Sequence, residues 1–292
     1  MFLSVWKNAA RRIRSIEERC KRIQEALGRI EARQLLETPA ADLHGAEFKV
    51  FSQWGEDGIL QHIFRRVAAP KKIFVEFGVE NYLESNTRFL LVNDNWSGLV
   101  IDGSSENVTS IKADDIYWRY NLKAETAFIT RDNINDLIRR NGIHGDIGLL
   151  SIDIDGNDYW VWEAIDCIQP RVVVAEYNYR FGSKRAVTVP YAADFERSAA
   201  HHSNIYFGAS LAALCLLGKR KGYAFVGCNK AGNNAFFLRN EFRPSDIPEL
   251  TCEEGFVRAQ FRESRDLRGS LAFLTDDQEA AILDQLPLID VS

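Results

Sequence analysis

The stretch Ser151–Trp160, SIDIDGNDYW, sets Asp153, Asp155, Asn157 and Asp158 within six positions, directly after the apolar run IGLL. Carboxylates this dense can hold a hard cation, contact a substrate, or shape an acidic turn. An EF-hand calcium loop needs glycine at its sixth position and a bidentate glutamate at its twelfth. Counted from Asp153, those positions hold Asp158 and Ala164, so that reading fails. Glu176 and Asn178 close a later apolar run, PRVVVAEYN. If the two runs are neighbouring strands, Asp153, Asp155, Glu176 and Asn178 make one set of oxygen ligands suited to Mg²⁺ or another octahedral divalent ion. Strand alternation sends Asp153 and Asp155 to one side, with Ile152 and Ile154 opposite. The same acids could instead meet a substrate without metal. In a purely structural role, Asp158 would cap the helix YWVWEAI while Asp155 and Asn157 form the turn.

Two further positions can bind a ligand. Gly78, after KKIFVEF, lets the backbone turn tightly and approach a bound group. Asp102, closing SGLVID, can accept hydrogen bonds from both hydroxyls of a ribose. Both could also be turn residues alone, and a G-x-G-x-x-G fingerprint is absent.

The elements that must position these residues alternate along the chain. FSQWGEDGILQHIFRRV reads as a helix after polar residues, KKIFVEFGV as a strand, ESNTRFLLVND as a helix and SGLVIDGS as a second strand. AFIT is predicted as the third strand, followed by the helix RDNINDLIRRNG with a glycine cap. IGLLSIDIDG and PRVVVAEYN supply the fourth and fifth strands, with the helix NDYWVWEAI between them. After a polar loop come the helix FGASLAALCLLGKRKG and two strands, YAFVGCN and NAFFLRN, joined at KAGN. Near-continuous Val/Ile/Phe strands separated by helices imply a parallel sheet buried on both faces. The predicted fold class is α/β, a Rossmann-like seven-stranded, mostly parallel sheet with a terminal antiparallel hairpin, preceded by a long N-terminal helix. Class I S-adenosylmethionine methyltransferases have this architecture, with the ligand at the carboxyl ends of the strands.

FVEFGVENYLESNT, GLVIDGS and SIDIDG, preceded by SQWGEDGI, resemble the FkbM-type methyltransferases over roughly Phe51 to Arg239. Val79-Glu80-Asn81 departs from the glycine-rich continuation usual after Gly78. The resemblance implies S-adenosylmethionine as methyl donor. It puts Glu76 and Gly78 at the methionine and ribose side, Asp102 on the ribose hydroxyls, and Ser52, Gln53 and Asn86 in the same pocket. Asp132 or Asn133, after the predicted third strand, could meet the adenine amine or cap the next helix. Some related sugar O-methyltransferases bind a divalent metal through acids at these two strand ends, which places Asp153 beside both donor and acceptor. A general base for the acceptor is sought in His201 and His202, which could equally be exposed loop histidines. The loop YNYRFGSKRAVTVPY, with Tyr177, Tyr179, Arg180, Lys184, Arg185 and Tyr191, suits a sugar, phosphate-bearing or carboxylate-bearing acceptor. A nicotinamide-dependent oxidoreductase and a non-catalytic scaffold are the rival readings.

Residues 1–37 are predicted as a coiled-coil-like helix, 38–47 as a linker, 48–245 as the sheet domain and 246–292 as a helical appendage. Ile13, Ile16, Cys20, Ile23, Leu27 and Ile30 recur at alternating spacings of three and four, an a/d seam that would join copies of the chain or else one face of a single amphipathic helix packed on its own domain. Its basic start could touch an anionic membrane surface. A net charge of -5 argues against a nucleic-acid partner. Five scattered cysteines without a C-x-x-C pair fit a reducing compartment, and the expectation is a cytoplasmic protein acting on a small molecule, a sugar or glycan precursor.

Overall fold

Valine, isoleucine, leucine and phenylalanine dominate the strands because most strands are covered on both faces. The computed structural model describes residues 2–38 and 40–292, except the side chains of residues 2–5 and 7–10. Helix α1 (Phe2–Glu37) is followed by α2 (Leu43–Ala46), where the Asp42 carboxylate accepts from the Gly45 N–H. Pro39, in the segment read as a linker, and Met1 lie outside the described residues. The sheet domain then runs α3 (Glu56–Phe64), β1 (Ile73–Phe77), α4 (Arg88–Asp94) and β2 (Ser97–Asp102). Next come α5 (Ser105–Ala113), α6 (Asp115–Arg119), β3 (Leu122–Thr126), α7 (Ile134–Arg140) and β4 (Gly145–Ile152). It continues through α8 (Asp158–Ala164), β5 (Ile168–Glu176), β6 (Val187–Thr188), α9 (Arg197–Ala200) and α10 (Leu211–Arg220). The chain closes with β7 (Tyr223–Cys228), β8 (Asn234–Arg239), α11 (Cys252–Gly255), α12 (Asp276–Leu283) and β9 (Ile289–Asp290).

The main sheet has seven strands in the order β3-β2-β1-β4-β5-β8-β7. Its first five strands are mutually parallel, and β8 runs antiparallel to both β5 and β7. Alternate residues feed two cores. Val75, Leu99, Leu150 and Val173 pack with α7, α8 and α10 on one face. Phe74, Val100, Leu149 and Val172 pack with α3 and α4 on the other. The strand order reverses between β1 and β4, so the crevice above that pair is where this architecture binds ligands.

Two expectations are corrected. The third strand is LKAET rather than AFIT; Ala127, Phe128 and Ile129 come after its end. The segment 246–292 has only two short helices and is stitched to the sheet domain rather than appended. Its β9 pairs with β6, Tyr206 donates to the Pro287 carbonyl, and Arg180 pairs with Glu279 at 2.9 Å, both side chains buried. Among the described residues no helix is long and apolar enough to cross a membrane.

Candidate active site

A crevice of about 530 Å³ opens at the carboxyl ends of β1, β2 and β4. Gly78 turns out of β1 with φ +67°, and a Cβ there would lie 1.6 Å from the Asp153 carbonyl oxygen. Only glycine permits β1 and β4 to come so close at their ends. Just above, Glu80 (φ 47°) and Asp155 (φ 55°) also adopt left-handed backbone, which costs about 1 kcal/mol or more at each non-glycine position.

Asp102 closes β2 as a fixed acceptor. Its Oδ2 takes the Glu80 N–H at 2.8 Å, and its Oδ1 takes the Ser104 N–H at 2.8 Å and Asn107 Nδ2 at 3.1 Å. A carboxylate has about four acceptor sites, so capacity remains for a ligand hydroxyl. Glu76 is used otherwise. It accepts from Ser85 Oγ, Thr87 Oγ1 and the N–H groups of Asn86 and Thr87, and so ties down the loop ESNT. Burial nevertheless pushes its pKa up. Asn86 in turn reaches Ser151 Oγ at 3.1 Å.

The acidic stretch divides its labour. Strand β4 ends at Ile152, so Asp153 and Asp155 converge through the turn rather than by strand alternation. Buried Asp158 accepts from the Ile154 and Gly156 N–H groups and staples that turn. Its predicted helix-capping role is thus replaced by a bond back to the preceding loop, and burial pushes its pKa up to about 6. Asp153, Asp155 and Glu176 bring carboxylate oxygens within 4.8 Å of one another. Burial, and then the neighbouring carboxylates, hold Asp153 and Glu176 well above the usual carboxylate range. Arg197 answers part of this charge, pairing with Asp155 Oδ1 at 2.6 Å while lying over the Phe207 ring.

The crevice is rich in acceptors and poor in donors. Glu76, Glu80, Glu84, Asp102, Asp153, Asp155, Glu176 and Glu263 line it, against Arg197 as the single cation among the described lining residues. Three of its oxygens are shielded from solvent yet receive no hydrogen bond: Glu176 Oε2, Asn157 Oδ1 and Asn234 Oδ1. Asn234 sits directly across from Glu176 in the β5–β8 register, and its amide is oriented by donating to Glu56 Oε1 at 2.8 Å. All three residues line the crevice, so their oxygens are available to accept from a bound group.

Gln53, Glu76, Gly78, Asn86, Asp102, Asp153, Asp155 and Glu176 are therefore brought together, and the other candidates are not. Ser52 is fully buried beneath the crevice, sharing Asp57 Oδ2 with the N–H groups of Val50 and Phe51. Asn178 turns away; its Nδ2 donates to the Ile205 and Phe207 carbonyls. Asp132 accepts from Tyr191 at the surface, while Asn133 is used to fix the turn before α7. His201 bonds Ser203 Oγ at 2.7 Å and packs against the tilted ring of His202, outside the crevice. Burial and the neighbouring imidazole push the His201 pKa down. Tyr177 and Tyr179, expected to face an acceptor, donate to the Val257 and Phe261 carbonyls of the C-terminal segment. Asn157, Arg197, Asn234 and Glu263 were not anticipated as crevice residues, and only Asn157 lay in a motif that pointed there.

No family model and no curated protein sequence matches the chain. Among solved structures, the N-terminal domain of EvdMO1 with SAH bound is similar at a TM-score of 0.42 and 11% identity, covering 67% of this chain and 82% of that one. A S-adenosylmethionine-dependent methyltransferase from Clostridium acetobutylicum is similar at 0.39 and 11%, covering 63% and 89%. PKMT2 from Rickettsia typhi is similar at 0.42 and 9%, covering 65% and 53%. At such scores the residues of this chain must carry the functional reading by themselves.

Proposed function

We propose that this chain transfers a methyl group from S-adenosylmethionine to a hydroxyl oxygen of a small polar or carbohydrate acceptor, assisted by a divalent cation. The observation that carries the reading is the inventory of the crevice: eight carboxylates against one guanidinium, with three shielded oxygens lacking donors. S-adenosylmethionine offers a sulfonium, an ammonium and two ribose hydroxyls, and its single carboxylate leaves it with a net positive charge. A nicotinamide dinucleotide would bring a pyrophosphate among those carboxylates, where like charge repels it. A bare scaffold has no need for eight carboxylates gathered in one crevice, where like charges repel.

Asp102, held by its three donors, takes the ribose hydroxyls, and Gly78 lets the backbone approach the methionyl portion. Ala127, Phe128 and Ile129 give the adenine an apolar wall. Asp153, Asp155 and Glu176 fit a divalent cation, because they are hard oxygen ligands within reach of one another and Glu176 Oε2 lacks any other partner. Asp153, Asp155 and Glu176 would hold such an ion where it would supply Lewis acidity to an acceptor hydroxyl. Burial, and then the neighbouring carboxylates, hold both Asp153 and Glu176 above the usual carboxylate range, which a bound cation would offset. Asn234 and Asn157 would accept from the acceptor's remaining hydroxyls. Methyl transfer is an in-line displacement, so this positioning is the protein's main contribution. The resemblance to FkbM-type proteins supports the same reading.

The test uses methyl-labelled S-adenosylmethionine with a panel of glycosides bearing neighbouring hydroxyls, with and without EDTA. Label should enter a glycoside only when a divalent ion is present. Transfer that survives exhaustive chelation would remove the metal from the account.

A further inference from the structure

Helix α1 has two working faces, and its own domain covers only one. On the covered face Gly28 lies so close to Val50 and Phe89 that a Cβ would stand 2.3 Å from Val50 Cγ2. Ala32 is buried with Val50, Phe51 and Phe89, and Gln24 donates to the Val50 carbonyl. The seam formed by Ile13, Ile16, Ile23, Leu27 and Ile30 lies on another side, each residue 49–60% exposed, with exposed Cys20 in line. At 100° per residue this stripe sits roughly 130° around the helix from Gly28 and Ala32. It is therefore left over after the helix has docked on its own domain.

We infer that α1 is the surface through which copies of this chain associate, as a parallel, in-register helical bundle. Its a positions are Ile13, Cys20 and Leu27, and its d positions Ile16, Ile23 and Ile30. The flanking charges select the partner and its direction. Arg12 and Arg19 occupy g positions and Glu17 an e position. In a parallel pairing, g of one helix meets e of the next heptad on its partner, which sets Arg12 against Glu17 of a second copy. An antiparallel pairing would set the arginine edge against itself and the glutamate edge against itself. Isoleucine at every d position favours more than two strands. In register, the Cys20 residues of neighbouring copies meet within one a layer.

Light scattering on the full chain should give a mass of at least twice the protomer, and Ile16→Asp/Ile23→Asp should return it to one protomer. The circular dichroism of that variant should be unchanged, because the seam does not touch the domain. A short bismaleimide should link wild-type chains into dimer bands, and Cys20→Ser should abolish them. This second readout decides the matter if the double variant fails to fold. A monomeric wild type, including one that sediments with anionic vesicles, would overturn the inference. So would an unchanged mass for a folded double variant, or an oligomer that Cys20 does not cross-link.

Discussion

Gly78 and Asp153 meet where β1 and β4 part, with the position of a Gly78 Cβ only 1.6 Å from the Asp153 carbonyl oxygen. The contact joins the two strand ends on which the crevice is built, and backbone atoms on both sides leave little room to relax. Gly78→Ala should therefore cost about 2–4 kcal/mol, from the left-handed backbone and the overlap together. Chemical denaturation measures this. A loss under about 0.5 kcal/mol, the level of an ordinary surface substitution, would contradict the close approach.

Asp102 is held by donors from Glu80, Ser104 and Asn107. Asp102→Asn keeps the size, but it weakens three charge-assisted bonds and alters the group offered to a ribose. S-adenosylhomocysteine affinity should fall tenfold or more, about 1.4 kcal/mol. Unchanged affinity would place the ribose elsewhere.

The raised pKa values of Asp153, Glu176 and Asp158 fix a sign. In the unfolded chain carboxylates titrate near ~4, so above that pH the folded chain holds protons that the unfolded chain has released. Through Asp158 stability falls as pH rises through about 4 to 6, and the raised Asp153–Glu176 pair acts with the same sign. A divalent cation displaces those protons. Mg²⁺ or Mn²⁺ should raise the melting temperature more at pH 8 than at pH 5.5, a saturating ion adding on the order of 2–3 kcal/mol. Glu176→Gln should remove most of that gain. Scanning calorimetry across pH checks it, and an increment that grows toward acid pH would reverse the assignment.

Arg197 is the crevice's own counter-charge, and its partner Asp155 is about half exposed. Discounted for solvent screening, its loss should cost about 1 kcal/mol without added ions. Arg197→Ala should also bind divalent cations more tightly, since Asp155 is released and the repulsion unrelieved. Mn²⁺ titration checks this; weaker binding would mean that Arg197 organises the acids rather than neutralising them.

The mostly parallel sheet, its terminal hairpin and the acid-bearing strand ends were legible because buried parallel strands are apolar and ligands gather at their carboxyl ends. LKAET escaped notice because this edge strand has a partly polar, alternating pattern, while the apolar AFIT beyond it lines the crevice instead. Asn234 reads only as the first residue of the strand NAFFLRN and gains meaning from standing opposite Glu176. Arg197 arrives from a loop with no periodicity. Ser52 and Asn178 were misplaced for the opposite reason: their residue types suit a ligand, but nearby groups already use them.

His201 and His202 have the chemistry of a base without the location. Replacing both with alanine should leave S-adenosylhomocysteine affinity within about twofold, or under about 0.5 kcal/mol. A larger loss would bring their loop into the site.

Titration calorimetry of the full chain against S-adenosylhomocysteine and NAD tests the central claim most directly. The account predicts one S-adenosylhomocysteine site, weakened at least tenfold by Asp102→Ala, and no heat from NAD. Saturable NAD binding, or S-adenosylhomocysteine binding indifferent to Asp102, would contradict it.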